Sequence, residues 1–471
     1  MQALLTFILL ASAGSPGADA GKQLAAAAKS GGEARICELL AQVGAEPSKA
    51  TVQVVLQLGA EHPSHKVYEA VRQALAAVRG ADAIEAIGKT LAQQTNARMR
   101  TLALFALEDI PVATTVEHLT ACLKDKNLAL AMHAARALGR KPMKSAVTAL
   151  VGIVPAADKA SPEYSLIVRQ ALYQLTGQNI RVAEDWAKWW AKEQEVWEPG
   201  LADSGRGRTW RGFKPPVALP RFFGVEVESV RVVFVIDISG SMEEPAVNLD
   251  ISRMELVKQE LARTIEDLRP ETRFTVIAFN SKIVPMWPSL YAATPQNIAK
   301  AVKWVRGLAP RSTTWTQEAL EAAFGIKEAN AIVLLSDGSP CKGAGVLPTK
   351  PILDWVERAN RFRRVAVHTI GFRDAFLPFL RSLARQNGGT CRNARPDAPV
   401  GEGEEGDPGG AQAEGVQPEP EGGAQPDGME PEPEGGAQPV EEEPEDGARP
   451  EGGESEPGGG AAAPAAAGGE R

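Results

Sequence analysis

Histidine, cysteine and tyrosine are scarce in this chain of 471 residues, at 5, 4 and 4 copies, and aromatic residues make up only 6%. The cysteines, at 37, 122, 341 and 391, are too few and too scattered for a disulfide framework, and no CxxC pair or cysteine-rich zinc spacing occurs. Buried thiols are the expectation, with a Cys341–Cys391 bridge as the alternative in an exported chain. The histidines, at 62, 65, 118, 133 and 368, lie far from the one acidic motif described below, and there is neither a nucleophile elbow nor a P-loop. These absences argue against an enzyme. Long apolar runs are missing beyond the first twenty residues, so no membrane span is expected after them.

What is present is uneven. The formal charge is −8, but Pro396 to Arg471 holds 21 acidic residues against 2 arginines, leaving +11 on residues 1–395. The positive residues are dispersed and no nucleic-acid module can be read, so no nucleic-acid partner is expected. Residues 396–471 are Pro, Gly, Glu and Ala with recurring GGAQP and EPEP; with little apolar surface to bury, they are expected to be disordered. At the other end, residues 1–20 contain LLTFILLASA followed by Ala18-Asp19-Ala20, a small-x-small pattern that reads as a cleaved export signal. A buried first helix or a single anchor is the alternative. Export places the mature protein in the periplasm, at the cell surface or outside the cell.

Residues 21–199 are rich in Ala and Leu at helical spacing. Val71-Arg-Gln-Ala, Met99-Arg-Thr-Leu, Met132-His-Ala-Ala and Val168-Arg-Gln-Ala recur at intervals of 28, 33 and 36 residues, which is the length of a helix pair. This domain resembles irregular HEAT-like repeats, with breaks expected at Asp109–Pro111 and Arg140–Pro142 because a helix interior tolerates proline poorly. Its surface could hold a second partner. Trp186, Trp189 and Trp190 share one helix face and are expected to close the end of the helical core. Residues 200–220, with Gly, Arg and Pro, read as a linker that would either let the two domains move or wrap one on the other.

From residue 221 to 395, strands alternate with helices, which specifies a parallel sheet covered on both faces. The fold class is therefore an N-terminal all-α solenoid followed by a doubly wound α/β domain and an acidic tail. The α/β part is organised around VVFVIDISGSM, residues 232–242, where a run of apolar residues fit for a sheet buried on both faces stops at Asp237. Asp237, Ser239 and Ser241 then present a carboxylate and two hydroxyls on alternate residues, with Gly240 expected to supply the freedom of a tight loop. Thr314, at the start of a helix, and Asp337, directly after the buried run AIVLLS, complete a set of oxygen donors suited to Mg²⁺ or Mn²⁺.

The order DxSxS, then Thr, then Asp resembles the metal-ion-dependent adhesion site of von Willebrand factor A domains. The resemblance extends over residues 221–395, is closest in FFGVEVESVRVVFVIDISGSM and VAVHTIGF, and is similar to exported bacterial proteins, particularly planctomycete ones, that carry helical repeats. It implies that Asp237, Ser239 and Ser241 form the first metal loop, Thr314 the second and Asp337 the third. The implied function is a binding, adhesion or scaffolding module whose metal captures an acidic residue of a protein partner. The alternatives are an A-domain subunit of an ATPase-driven complex and, less favoured, a metal-assisted hydrolase.

Overall fold

The computed structural model describes residues 16–394, apart from residues 31, 200–212, 214, 217, 247, 343–344 and 373–376. Most of the export segment, most of the predicted linker and the acidic tail therefore lie outside the described residues.

Eleven helices come first: α1 (Pro16–Ser30), α2 (Glu33–Ala41), α3 (Lys49–Glu61), α4 (His65–Ala76), α5 (Ala81–Gln93), α6 (Ala97–Asp109), α7 (Thr115–Cys122), α8 (Leu128–Leu138), α9 (Lys144–Ala160), α10 (Pro162–Thr176) and α11 (Ala183–Glu193). From α3 to α10 they form pairs in two layers. The odd-numbered helices α3, α5, α7 and α9 touch in sequence, as do the even-numbered helices α4, α6, α8 and α10. Each recurring sequence segment falls on an even helix and buries its first residue: Val71, Met99, Met132 and Val168. The residue that follows is charged or polar, and three of the four, Arg72, Arg100 and Arg169, pair with Asp109, Asp125 and Asp158. Helix starts are capped by side chains: Ser48, Ser64, Asn96, Asn127 and Ser161 each accept from a backbone N–H of the first turn. The chain breaks at Asp109 and near Arg140 as the prolines predict. Helix α9 nevertheless runs on through Pro155, which stands on its exposed side. Trp186 and Trp190 of α11 are buried against α9, with Trp190 Nε1 donating to Thr148 Oγ1 at 3.0 Å, so this face closes the helical core.

The second part opens with a short hairpin, β1 (Arg221–Phe222) and β2 (Val225–Glu226). The main sheet then gathers β3 (Arg231–Asp237), β4 (Arg273–Phe279), β5 (Ile283–Pro285), β6 (Tyr291–Ala292), β7 (Ala331–Ser336), β10 (Ala366–Gly371) and β11 (Cys391–Asn393). A ribbon of β8 (Cys341–Lys342) and β9 (Gly345–Val346) stands apart from it. The strand order is β11-β10-β7-β3-β4-β5, parallel except that β5 and β6 run antiparallel to β4.

Helices α12 (Arg253–Glu266) and α13 (Pro295–Arg306) lie on one face; α14 (Thr316–Gly325), α15 (Thr349–Asn360) and α16 (Leu377–Gln386) lie on the other. Strand periodicity sorts the cores. Val232, Phe234 and Ile236 face the first helices, while Val233 and Val235 face the second set, and all are buried. This two-sided burial is why β3 reads as an unbroken apolar run.

The helical part and the sheet domain are in contact. Gln170 Nε2 donates to Glu228 at 3.0 Å, just before β3. Asn330, immediately before β7, donates to both oxygens of Glu163 at 3.1 and 3.3 Å. The turn before β10 lays Arg361 over the Tyr68 ring, sets Phe362 edge-on to the same ring and donates from Arg364 to Glu108. All three anchor points precede the amino ends of parallel strands.

Candidate metal centre

The register of β3 against β7 fixes the opposite end of the sheet. Ile236 pairs with Leu335, so the next residues, Asp237 on one strand and Ser336 and Asp337 on the other, leave the sheet side by side. Asp237 is fully buried and Asp337 almost so, at 0% and 3% exposure. The Asp237 carboxylate accepts from the Ser239 N–H at 2.8 Å through Oδ1 and from Ser336 Oγ at 2.7 Å through Oδ2. Ser239 Oγ and Ser241 Oγ lie 3.1 Å apart, and Ser241 Oγ donates to Asp337 Oδ1 at 2.8 Å. Four of the five sequence-predicted residues are thus joined in one hydrogen-bonded cluster.

The fifth, Thr314, is buried, whereas Thr313 is half-buried. A Cβ placed on Gly338, the residue after Asp337, would meet Thr314 Oγ1 at 3.8 Å, so this hydroxyl faces the third loop. The second loop is tied down by its backbone. Ser312 O accepts from the Gly240 N–H at 3.0 Å, Arg311 N–H donates to Ile238 O at 2.9 Å, and Trp315 N–H donates to Asn280 O at 3.1 Å. Ser312 takes a φ of +70°, a left-handed conformation that turns the chain beneath Gly240. Gly240 itself is not among the positive-φ residues, and an added Cβ would meet Ser312 O at an ordinary 3.6 Å. The expectation that glycine freedom shapes the first loop is corrected here. A single 3₁₀ turn over Gly240–Glu243 makes the bend, with Met242 N–H donating to Ser239 O.

Burial, and then the neighbouring Asp337 charge, push the Asp237 carboxyl up to about 7, against the pull of its hydrogen bonds from Ser239 and Ser336. Two buried carboxylates that feel each other's charge favour a neighbouring cation. With three hydroxyls and no nitrogen or sulfur among the five side chains, the donor set fits a hard divalent ion that tolerates water in its remaining positions.

Three neighbours escaped the sequence reading. Ser336 holds Asp237. Cys341 accepts from the Thr314 N–H at 3.1 Å through Sγ, and its own N–H donates to Thr314 O at 2.9 Å; all four cysteines are free, so the Cys341–Cys391 bridge is not formed. Arg253 is the third. At the first turn of α12, it donates from Nη1 to Asp337 Oδ2 at 2.8 Å and to Ser241 O at 3.3 Å. A signal for it did exist in the sequence: Ser252 and Glu255 form a capping pattern that puts an arginine at a helix N-terminus, where the backbone dipole disfavours a cation unless an anion is there to meet it. The histidines stay away from this cluster; His368 lies in β10, with Nδ1 3.0 Å from Thr390 Oγ1.

Residues 232–397 match the family profile of the von Willebrand factor type A domain. Human von Willebrand factor A domain-containing protein 3B is 30% identical over 162 residues, 34% of this chain and 11% of that protein. Human inter-alpha-trypsin inhibitor heavy chain H4 is 28% identical over 188 residues, 37% of this chain and 19% of that protein. The chain therefore spans under a fifth of the length of these relatives. Among solved structures, a von Willebrand factor type A protein from Catenulispora acidiphila overlaps 36% of this chain and 40% of its own, at 24% identity and a TM-score of 0.31. With the parallel sheet, its order and the profile match in agreement, the chain carries a von Willebrand factor type A domain behind an N-terminal helical region.

Proposed function

We propose that this chain is an exported protein-binding or scaffolding module, not an enzyme, in which Asp237, Ser239, Ser241, Thr314 and Asp337 hold Mg²⁺ or Mn²⁺ and thereby capture a carboxylate of a protein partner. The observation that carries this reading is the convergence of two buried carboxylates with the Ser239 and Ser241 hydroxyls where β3 and β7 leave the sheet. Bound there, the divalent ion would supply an electrophilic centre with a position open to an outside oxygen. The chain's own residues orient the site. Ser336 and the Ser239 N–H aim Asp237, Ser241 and Arg253 aim Asp337, and the second loop is pinned to the first through Ser312 and Gly240. The helix pairs, which we read as HEAT-like repeats, support the domain from its far end. Among the described residues, no helix is long and apolar enough to cross a membrane.

The test is affinity capture from the native source on immobilised full-length chain. Partners retained in Mg²⁺ and released by EDTA, but never retained by the Asp237→Ala variant, support the reading. Retention that survives both EDTA and Asp237→Ala would sink it and point to another surface of the domain.

A further inference from the structure

Arg253 gives the site a charge count that its oxygen ligands alone do not have. Its guanidinium bonds Asp337 Oδ2 at 2.8 Å, Ser241 O at 3.3 Å and Glu244 at 2.9 Å, and its carbon stands 5.7 Å from the centre of the Phe372 ring. The residue is 5% exposed, so this is an interior charge and not a surface ion pair. Its backbone is fixed as well: the Arg253 N–H donates to Glu244 O at 2.9 Å, and a bridge between Pro245 and Ser252 closes the intervening loop. Whatever enters between Asp237 and Asp337 therefore meets a positive group already seated on one of the two carboxylates.

The consequences run in opposite directions for a cation and for an anion. Asp237 and Asp337 alone would cancel a divalent ion. With Arg253 included, the buried shell carries one negative charge instead of two; Glu244, more than half exposed to water, offsets Arg253 only through a screened contact, so the loaded centre is left partly positive. Like charges separated by only a few ångströms in a poorly screened interior repel strongly enough to alter an equilibrium by an order of magnitude or more. We propose that Arg253 is a built-in counter-cation that weakens the divalent ion's hold on the site and strengthens the loaded site's hold on a carboxylate, making it a specificity-determining residue for anionic partners. This rests on the metal-dependent capture proposed above and adds the reason a carboxylate, as opposed to a neutral oxygen, would be preferred.

The two effects can be measured separately on the full chain. Free Mn²⁺, followed by electron paramagnetic resonance, gives the metal affinity; acetate titrated into the Mn²⁺-loaded protein, followed by water-proton relaxation, gives the anion affinity. Arg253→Gln should bind Mn²⁺ at least about tenfold more tightly and acetate about tenfold more weakly, and Arg253→Lys, which restores the charge, should move both constants back toward wild type. A purely structural arginine would weaken both together. A folded Arg253→Gln variant that binds Mn²⁺ no more tightly, or whose acetate affinity is unchanged, overturns the proposal. If Arg253→Gln is unfolded in EDTA, recovery of its circular dichroism on adding Mn²⁺ supports the proposal, and failure to recover at saturating Mn²⁺ overturns it. Wild-type protein that binds no Mn²⁺ defeats the metal reading itself and this inference with it; wild-type binding with an unaltered variant defeats only the inference.

Discussion

Arg364, in the turn before β10, donates from Nη1 to Glu108 of α6 across 3.0 Å, joining residues 256 positions apart. Glu108 is almost wholly buried and also pairs with Arg140, and the Arg364 guanidinium carbon lies 3.7 Å from the centre of the Phe105 ring. Replacing Glu108 with Ala leaves the largely covered Arg364 without its counter-charge at the junction, whereas Arg140, more than half exposed, keeps its hydration. We expect about 2–3 kcal/mol of lost stability in urea unfolding, part of it recovered when Arg364 is also removed. A change within about 0.5 kcal/mol would show that the contact contributes little.

The two aspartates of the proposed metal centre should differ when replaced. Asp337→Asn leaves Arg253 buried without its main counter-charge and should lower the melting temperature in EDTA. Asp237→Asn relieves two carboxylates of their mutual repulsion, keeps an acceptor for the Ser239 N–H and turns an amide N–H toward Ser336 Oγ, which can accept it while donating to Gly338 O, and should be neutral or stabilising under the same conditions. Both variants should lose any melting-temperature increase on adding Mg²⁺. Differential scanning calorimetry with and without the ion reads all four values.

Thr314→Ala should reduce Mn²⁺ affinity and Thr313→Ala should not, since only the Thr314 hydroxyl faces the third loop. Equal losses would mean that the second loop is arranged differently when the ion is bound.

His133 of α8 sits edge-on to Phe105, and burial, followed by the charges of Arg136, Arg364 and Arg140, holds its imidazole well below the ordinary range. The folded state therefore keeps this ring neutral. Above a pH of about 6.5 the unfolded chain is neutral there too, so no stability is lost. As the pH falls below that value the unfolded state takes up a proton that the folded state refuses. Stability should then decline by up to about 1.4 kcal/mol per pH unit until the folded pKa is reached. Urea midpoints at pH 7.5 and 5.0 test this, and His133→Gln should flatten that part of the dependence.

Trp186→Ala should be among the costlier single changes in the helical region. The side chain is fully buried and its Nε1 donates to Ile180 O at 2.9 Å, so truncation leaves both a large cavity and an unpaired carbonyl. A loss of about 3–5 kcal/mol is expected in chemical denaturation.

The sequence was most readable where one residue's environment is set by its neighbours in the chain. The run from Val232 to Ile236 announced a strand buried on both faces, the recurrences at Val71, Met99, Met132 and Val168 announced helix pairs, and the oxygen donors at 237, 239, 241 and 337 stood at strand ends. The Ser252–Glu255 capping pattern marked Arg253 as a cation in need of an anion, but not which one, because its partner Asp337 is 84 residues away. The docking turn was hidden for the same reason: periodicity tells which face of α6 is apolar, not that Arg364 will cover it. Gly240 misled, because a glycine in a loop suggests an unusual backbone angle while Ser312, across the gap, is the residue that adopts one.

One consequence follows from strand β7 being anchored at both ends. Asn330 grips Glu163 of the helical region immediately before the strand begins, and Asp337 joins the cluster with Ser241 and Arg253 immediately after it ends. In the proposed capture, a pull applied at Asp337 would travel along some 20 Å of extended backbone and reach the helix pairs through the two Asn330–Glu163 hydrogen bonds. Under that proposal the strand is mounted as a tensile member, with its grip at one end and its footing at the other.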